Sequence, residues 1–396
     1  MTYDIIIIGA GASGLAAAIA AKRANRRLNV AAVEALPRVG KKILATGNGR
    51  CNITNKNAAD GRYGNFRFAS AALNEYTPEK VIEFFRSIGI LCVPDSEGRM
   101  YPAGNNANSV LDALRYEAQR LGVELICENR VDKAEKRNGI FNLGELKAKK
   151  IILCTGGCAA PAQGSDGSGY KLLKAFGHRV TAVYPGLVQL TVEENTKSLK
   201  GVRAKAKAEL FCDGKCIDEA KGEVQFTDYG LSGIAVMDLS RSVKNGNYRC
   251  RINTIPTFSR EDSEKFLLSL DREMPIENAL SGLMPKALGR YILKTVGINA
   301  LTPLGRLGNG EIAKIIVGAQ RLDFTVTGTK GFKNAQITVG GADVGEFDPN
   351  TMESKLVKGL YCAGELLDVD GRCGGFNLQW AWASGLLAGR CAATEK

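Results

Sequence analysis

The chain opens on an apolar run, Tyr3 to Ile8, broken by Gly9-Ala-Gly11-Ala-Ser-Gly14 and followed by the alanine-rich segment Leu15 to Ala24. This order predicts a strand, a tight turn and a helix. A second run, Leu28 to Val33, predicts a strand ending at Glu34, and Lys150 to Cys154 predicts a buried strand closing on Thr155-Gly156-Gly157. A fourth, short strand is expected at Leu360 to Ala363, before Gly364-Glu365, and the segment Trp380 to Gly389 reads as a buried helix fed by a loop from Gly371 to Gln379. The middle of the chain is patterned differently. Thr191 to Tyr248 alternates charged and apolar residues around Asp213-Gly214 and Asn245-Gly246, which predicts strands and hairpins. Ser259 to Ala319 carries helical spacing, with Ser259 and Thr302 as candidate N-caps, and Phe324 to Val339 returns to alternation before Gly340-Gly341. Gly164 to Tyr170 reads as a glycine-rich loop.

Length and composition then narrow the chemistry. The 396 residues are 45% apolar and 24% charged, enough for two or three domains and unlike a disordered chain. There is a single histidine, His178, so a histidine-rich metal centre is excluded, and a Ser-His-Asp hydrolase would have to use that residue. It follows a helix end at Gly177 and reads as structural. The eleven cysteines form no C-x-x-C pair; Cys154/Cys158 and Cys212/Cys216 come closest, and the second reads as a hairpin turn. Reduced thiols, a cytoplasmic location and no metal are expected. The uncharged stretch Ile5 to Ala21 has no basic segment before it and is too short to span a bilayer, so no membrane partner is expected. Lys and Arg number 53 against 41 Asp and Glu, a net charge of +12 that favours anionic ligands.

In the first glycine cluster, Gly9 permits the turn, Gly11 lets backbone approach a pyrophosphate, and Gly14 lets helix pack on strand. Glu34 lies 20 residues beyond Gly14, where a carboxylate binds ribose hydroxyls and disfavours a 2′-phosphate. Between positions 20 and 50 eight Lys or Arg face one acid, Glu34. Lys22, Arg23, Arg26 and Arg27 read as a solvated helix end, whereas Lys42 and Arg50, set among glycines, are candidate ligand contacts. Thr155-Gly156-Gly157 resembles the turn where flavoprotein chains cross near the nucleotide. Gly364-Glu365 resembles the motif whose carboxylate binds the ribityl chain, with Glu in place of Asp. The three motifs in this order make FAD the expected cofactor, and with no second G-x-G-x-x-G after a strand no dedicated NAD(P)H domain is expected, NAD(P)H being at most a transient reductant.

Val39 to Thr54, Glu97 to Pro102 and Leu360 to Gly389 resemble the bacterial FAD-dependent family that includes aminoacetone oxidase and a dehydro-bile-acid reductase. Cys373 and Phe376 stand where members often carry Thr and Tyr. The resemblance implies an α/β fold: a Rossmann-like, glutathione-reductase-like FAD-binding domain from residues 1–188 and 342–396, an inserted β-rich domain from 189–255 and 323–341, and a small helical cap, 256–322. The cofactor is expected against Gly9, Gly11, Ala12, Ser13, Gly14, Glu34, Ala35, Lys42, Thr46, Gly47, Gly49, Arg50, Asn52, Val131, Thr155, Gly156, Gly157, Gly364, Glu365, Gly375, Asn377 and Leu378. Candidate catalytic residues are Arg50, Cys51, Asn52, Arg372, Cys373 and Tyr170. The expected activity is hydride or electron transfer between flavin N5 and a small molecule, as a reductase of a conjugated C=C bond or an amine oxidase. The alternative is an FAD-containing RNA-associated or tRNA-modifying protein. Lys197 to Lys207 lacks interleaved aromatics, so nucleic acid is not the expected partner.

Overall fold

The computed structural model describes residues 2–60 and 62–394. They form two compact units, Met1–Tyr184 with Gln336–Lys396, and Pro185–Ala335.

In the first unit β1, Thr2–Ile8, lies between β2, Val30–Val33, and the strand Leu146–Leu153, parallel to both, with Ile8 level with Val33 and Leu153. Glu124–Ile126 adds beside β2, and Leu360–Cys362 pairs in parallel with Ile151 to Leu153, so the carboxy-terminal part of the chain completes the amino-terminal sheet. Two antiparallel strands, Ile140–Leu143 and Glu135–Arg137, make it seven-stranded. Ile5 to Ile8 are all buried, which is why this run is continuous and not alternating: the sheet is covered on both faces.

Helix α1, Ala12–Ala24, is buried from Ser13 to Lys22, and the helix Phe376–Thr394 packs on it. Gly385 and Gly389 of that helix press against the backbone of Ser13 and Ala17, where a Cβ has no room. The small-residue composition of both segments follows from this close approach. The segment Gly164 to Tyr170 is only partly a loop. Helix Ser168–Ala175 begins inside it and carries Tyr170 in its first turn.

The second unit is a closed six-stranded antiparallel barrel with helices packed on it. Its longest hairpin, Arg203–Cys212 with Lys215–Phe226, turns at Asp213 and Gly214, both at positive φ (48° and 84°), as a two-residue hairpin loop requires. Asn245-Gly246, expected as a second hairpin turn, instead joins the helix Ile234–Ser240 to the strand Tyr248–Asn253. Ala235, Val236 and Leu239 bury one helical face there, and that periodicity outweighs the turn dipeptide. Ser259 caps the helix Arg260–Leu268 by accepting from Asp262 N–H at 3.0 Å. Thr302 caps no helix; its carbonyl accepts from Ile276 N–H at 2.9 Å and Pro303 follows in extended conformation. The helices Ile276–Leu280, Lys286–Val296 and Asn309–Gln320 share one core with the barrel, where Tyr291 stacks on Phe324 with centroids 6.4 Å apart. Ile337–Val339, which the sequence division puts with the β-rich domain, falls in the first unit.

Candidate functional site

The glycine turn after β1 is built as its spacing predicts. Gly9 has φ +97°, and a Cβ there would stand 2.5 Å from the Cys154 carbonyl oxygen. A Cβ at Gly14 would overlap the Gly9 carbonyl oxygen. Gly11 is different: nothing lies within 4 Å of where its Cβ would be. It is the N-cap of α1, no side chain caps that end and no acid sits in the first turn, so the first N–H groups of the helix have no side-chain acceptor there. An uncapped helix N-terminus beside an open glycine fits the pyrophosphate of a dinucleotide. At the end of β2, Glu34 is already oriented, its two carboxylate oxygens accepting from Ala10 N–H at 3.1 Å and Leu36 N–H at 3.0 Å. Ala35 beside it is exposed, and Val131 is buried.

The second turn, Thr155-Gly156-Gly157, is crowded from behind. Gly156 (φ +72°) lies against the Ser165 side chain, and Gly157 against Thr338 and Glu365. Glu365 Oε1 accepts from Thr338 N–H at 2.9 Å, while its Oε2 takes Lys42 Nζ at 2.8 Å. Thr338 Oγ1 in turn accepts from Cys158 N–H at 2.7 Å. Thr338 carried no motif signal; only its place before Gly340-Gly341 hinted at a turn. Ser165, whose buried hydroxyl has no partner among the described residues, is legible in the sequence only as part of a glycine-rich loop.

The two loops expected to share the flavin face do meet. Thr54 Oγ1 donates to Gln379 Oε1 at 2.6 Å, Asn55 Nδ2 to Gly374 O at 2.9 Å, and Trp382 Nε1 to Ile53 O at 2.9 Å. Gly375 packs so closely on Thr54 O and Asn52 Oδ1 that a Cβ would stand 2.6 Å and 2.9 Å from them. Trp380 Nε1 donates to Gly364 O at 3.0 Å, tying the same helix to the Gly364-Glu365 turn. Asn377 spends its amide inside its own loop, accepting from Gly371 N–H at 2.7 Å and donating to Gly371 O at 2.8 Å; Leu378 follows, half-buried. Residues 46–52 are wound tightly: Gly47, Asn48, Gly49 and Cys51 all have positive φ, and Thr46 Oγ1 donates to Ile43 O at 2.6 Å. Left-handed conformation at Asn48 and Cys51 is strain that such a loop holds only under outside constraint. Arg50 lies over the Tyr101 ring, its guanidinium carbon 4.5 Å from the centroid. Arg372 and Cys373 are half-buried in the other loop.

Burial decides which of these groups can move protons. It pushes the Cys51 thiol up to about 12, so this residue stays protonated at neutral pH and fills space. Burial, with Glu365 nearby, raises the Tyr170 phenol well above its ordinary range, and its hydroxyl has no partner among the described residues. His178 has triad-like wiring, Nδ1 at 2.9 Å from Glu346 Oε2 and Nε2 at 2.9 Å from Ser354 Oγ. It is closed to substrate: the histidine side chain is fully buried, and Ser354 Oγ already accepts from Leu356 and Val357 N–H. Among the described residues no cluster of His, Cys, Asp and Glu could hold a metal, and no helix is long and apolar enough to cross a membrane.

A mostly parallel sheet completed by a strand from the far end of the chain, with an open glycine cradle and a carboxylate at the next strand end, defines the class: the protein is an FAD-dependent oxidoreductase. In particular, the chain belongs to the HI0933-like family, whose model, described as the HI0933-like protein Rossmann domain, matches residues 3–391. It is 38% identical to a 3-dehydro-bile acid delta(4,6)-reductase of Clostridium scindens, over 98% of each chain. It is 32% identical to a ribosomal RNA dihydrouridine synthase of Escherichia coli, over 96% of each. In fold it resembles the 3-ketosteroid delta1-dehydrogenase of Sterolibacterium denitrificans, with TM-score 0.52, 13% identity and full coverage of both chains. A flavocytochrome c3 fumarate reductase gives TM-score 0.50 at 16% identity, over 99% of this chain and 78% of that one.

Proposed function

We propose that this protein saturates a carbon–carbon double bond conjugated to a carbonyl in a small molecule, with NAD(P)H as the transient reductant. The observation that carries the reading is the 38% identity, along 98% of both chains, with a relative named as a delta(4,6)-reductase. The second relative's name agrees in chemistry, because dihydrouridine is uridine with its ring C=C saturated beside a carbonyl. When bound, FAD supplies the atom that exchanges hydride, its N5. The chain's part is to bind and orient. The α1 N-terminus and Gly11 hold the pyrophosphate, Glu34 the ribose, and the paired Lys42 and Glu365 the polar chain leading to the ring. The loops 46–55 and 371–379 would hold the ring and the substrate, with Arg372 and Cys373 as the half-buried side chains available there. The N-terminus of the helix Phe376–Thr394, with no acid in its first turn, would favour negative charge on a group bound there.

An RNA substrate is the second reading, favoured by the net charge of +12 and the 32% identity with the dihydrouridine synthase. Anaerobic stopped-flow on the yellow protein separates the readings. NADH or NADPH should bleach the flavin, and a small conjugated enone should restore its colour. Recovery only with uridine-containing RNA moves the assignment to the second reading. Bleaching by aminoacetone, with recovery only by oxygen, makes the protein an amine oxidase, and a protein that takes up no FAD sinks all three.

A further inference from the structure

Three partly buried arginines of this protein face carboxylates: Arg99 with Asp95 at 2.6 Å, Arg251 with Asp323 at 2.7 Å, and Arg390 with Glu75. Arg50 does not. Its Nε donates to Gly47 O at 3.1 Å, its Nη2 reaches the Tyr101 hydroxyl at 3.4 Å, and the Tyr101 ring covers one face at 4.5 Å. Its Nη1 has no partner among the described residues. Tyr101 is itself only 7% exposed, on the strand Arg99–Pro102, and its ring edge would stand 3.3 Å from a Cβ at Gly47, so loop and ring fix each other. A half-buried guanidinium without a counter-charge, clamped on one face and at one edge, is costly unless a ligand brings the charge. We propose that Tyr101 is a positioning residue that aims Arg50 at an oxyanion, carboxylate or phosphate, carried by the substrate. This rests on the oxidoreductase reading and narrows its substrate to an anionic one.

Calorimetric titration of the FAD-loaded protein with inorganic phosphate, and separately with acetate, tests it. The wild type should take up at least one of these anions and Arg50→Ala neither. Tyr101→Leu should bind about tenfold more weakly, and Tyr101→Phe, which keeps the ring, about twofold. With a carboxylate-bearing enone, Tyr101→Leu should raise KM for that acceptor and leave flavin bleaching by NAD(P)H unchanged. A purely structural role would instead lower FAD retention and slow both half-reactions. Phosphate and acetate both ignored by the wild type, or bound equally by Arg50→Ala or by Tyr101→Leu, overturn the proposal. Failure to load FAD at all counts against the oxidoreductase reading instead, and the same ranking of variants, measured on the protein as isolated, then decides this one.

Discussion

His178 and Arg50 both sit in polar clusters of the first unit, yet only one cluster is closed. Around His178, Ser354 Oγ accepts two backbone N–H groups, which leaves its hydrogen for Nε2 and puts the imidazole hydrogen on Nδ1, toward Glu346. Glu346 is further held by Arg179 N–H and Nε at 3.0 Å and 2.9 Å. Phe347 stacks on the ring at 4.6 Å. Around Arg50 the backbone is strained, and among the described residues the cation lacks a carboxylate and the buried Oδ1 of the adjoining Asn52 lacks a partner. Closed wiring resists substrate and contributes stability. Open wiring leaves binding capacity for a ligand, at some cost to the empty fold.

The largest effect expected along this contrast is at Gly11, on the open side. Gly11→Val points into empty space, so the thermal midpoint should hold while FAD affinity, followed by fluorescence quenching, falls on the order of a hundredfold or more. An unchanged affinity would mean that the cradle is not the cofactor site. On the closed side, His178→Ala strands Glu346 and the Ser354 hydroxyl and should cost about 3 kcal/mol in urea unfolding, with FAD affinity unaltered. Thr54→Val lies between the two cases. It removes a fully buried bond to Gln379 where the two loops join, so about 1.5 kcal/mol of stability should go together with a modest loss of FAD affinity.

The smallest effect is on pH. Burial lowers the His178 pKa from its ordinary 6.5, against the opposing pull of Glu346. The unfolded chain then binds the proton more readily than the folded one. Stability from this site is therefore full above about pH 6.5 and is lost as pH falls below that toward the folded value. Because His178 is the only histidine, a thermal midpoint that declines from pH 7 to 5.5 in the wild type and stays flat in His178→Gln assigns the slope to this residue. Equal slopes in both would show that the cluster is not closed in the way described.

Much of the fold was readable because its signals are local. The run Ile5 to Ile8, the glycines at 9, 11 and 14, and the two-residue turn at Asp213-Gly214 are dictated by sterics within a few residues. Where two local signals compete, the longer one wins: Asn245-Gly246 looks like a hairpin turn, but the apolar spacing of Ile234 to Ser240 makes a helix before it. Within the proposed site, Glu34 is a candidate from its spacing and Lys42 from its setting among glycines. Thr338 and Tyr101 are not, because their importance comes only from what the fold sets beside them.

The sequence by itself determined a strand, glycine turn and helix suited to a pyrophosphate, a carboxylate at the right distance, and a cofactor-borne reaction in a chain with one histidine. Those are properties of short segments and of composition. Only the tertiary structure decided which polar groups are used up and which are left over. It brought Lys42 to Glu365 and Thr54 to Gln379 across more than 300 residues of chain, closed His178 with Glu346 and Ser354, and left Arg50 on Tyr101 without a carboxylate. Hydrogen-bond satisfaction depends on neighbours in space, and those neighbours exist only once the distant strand Leu360–Cys362 has joined the sheet.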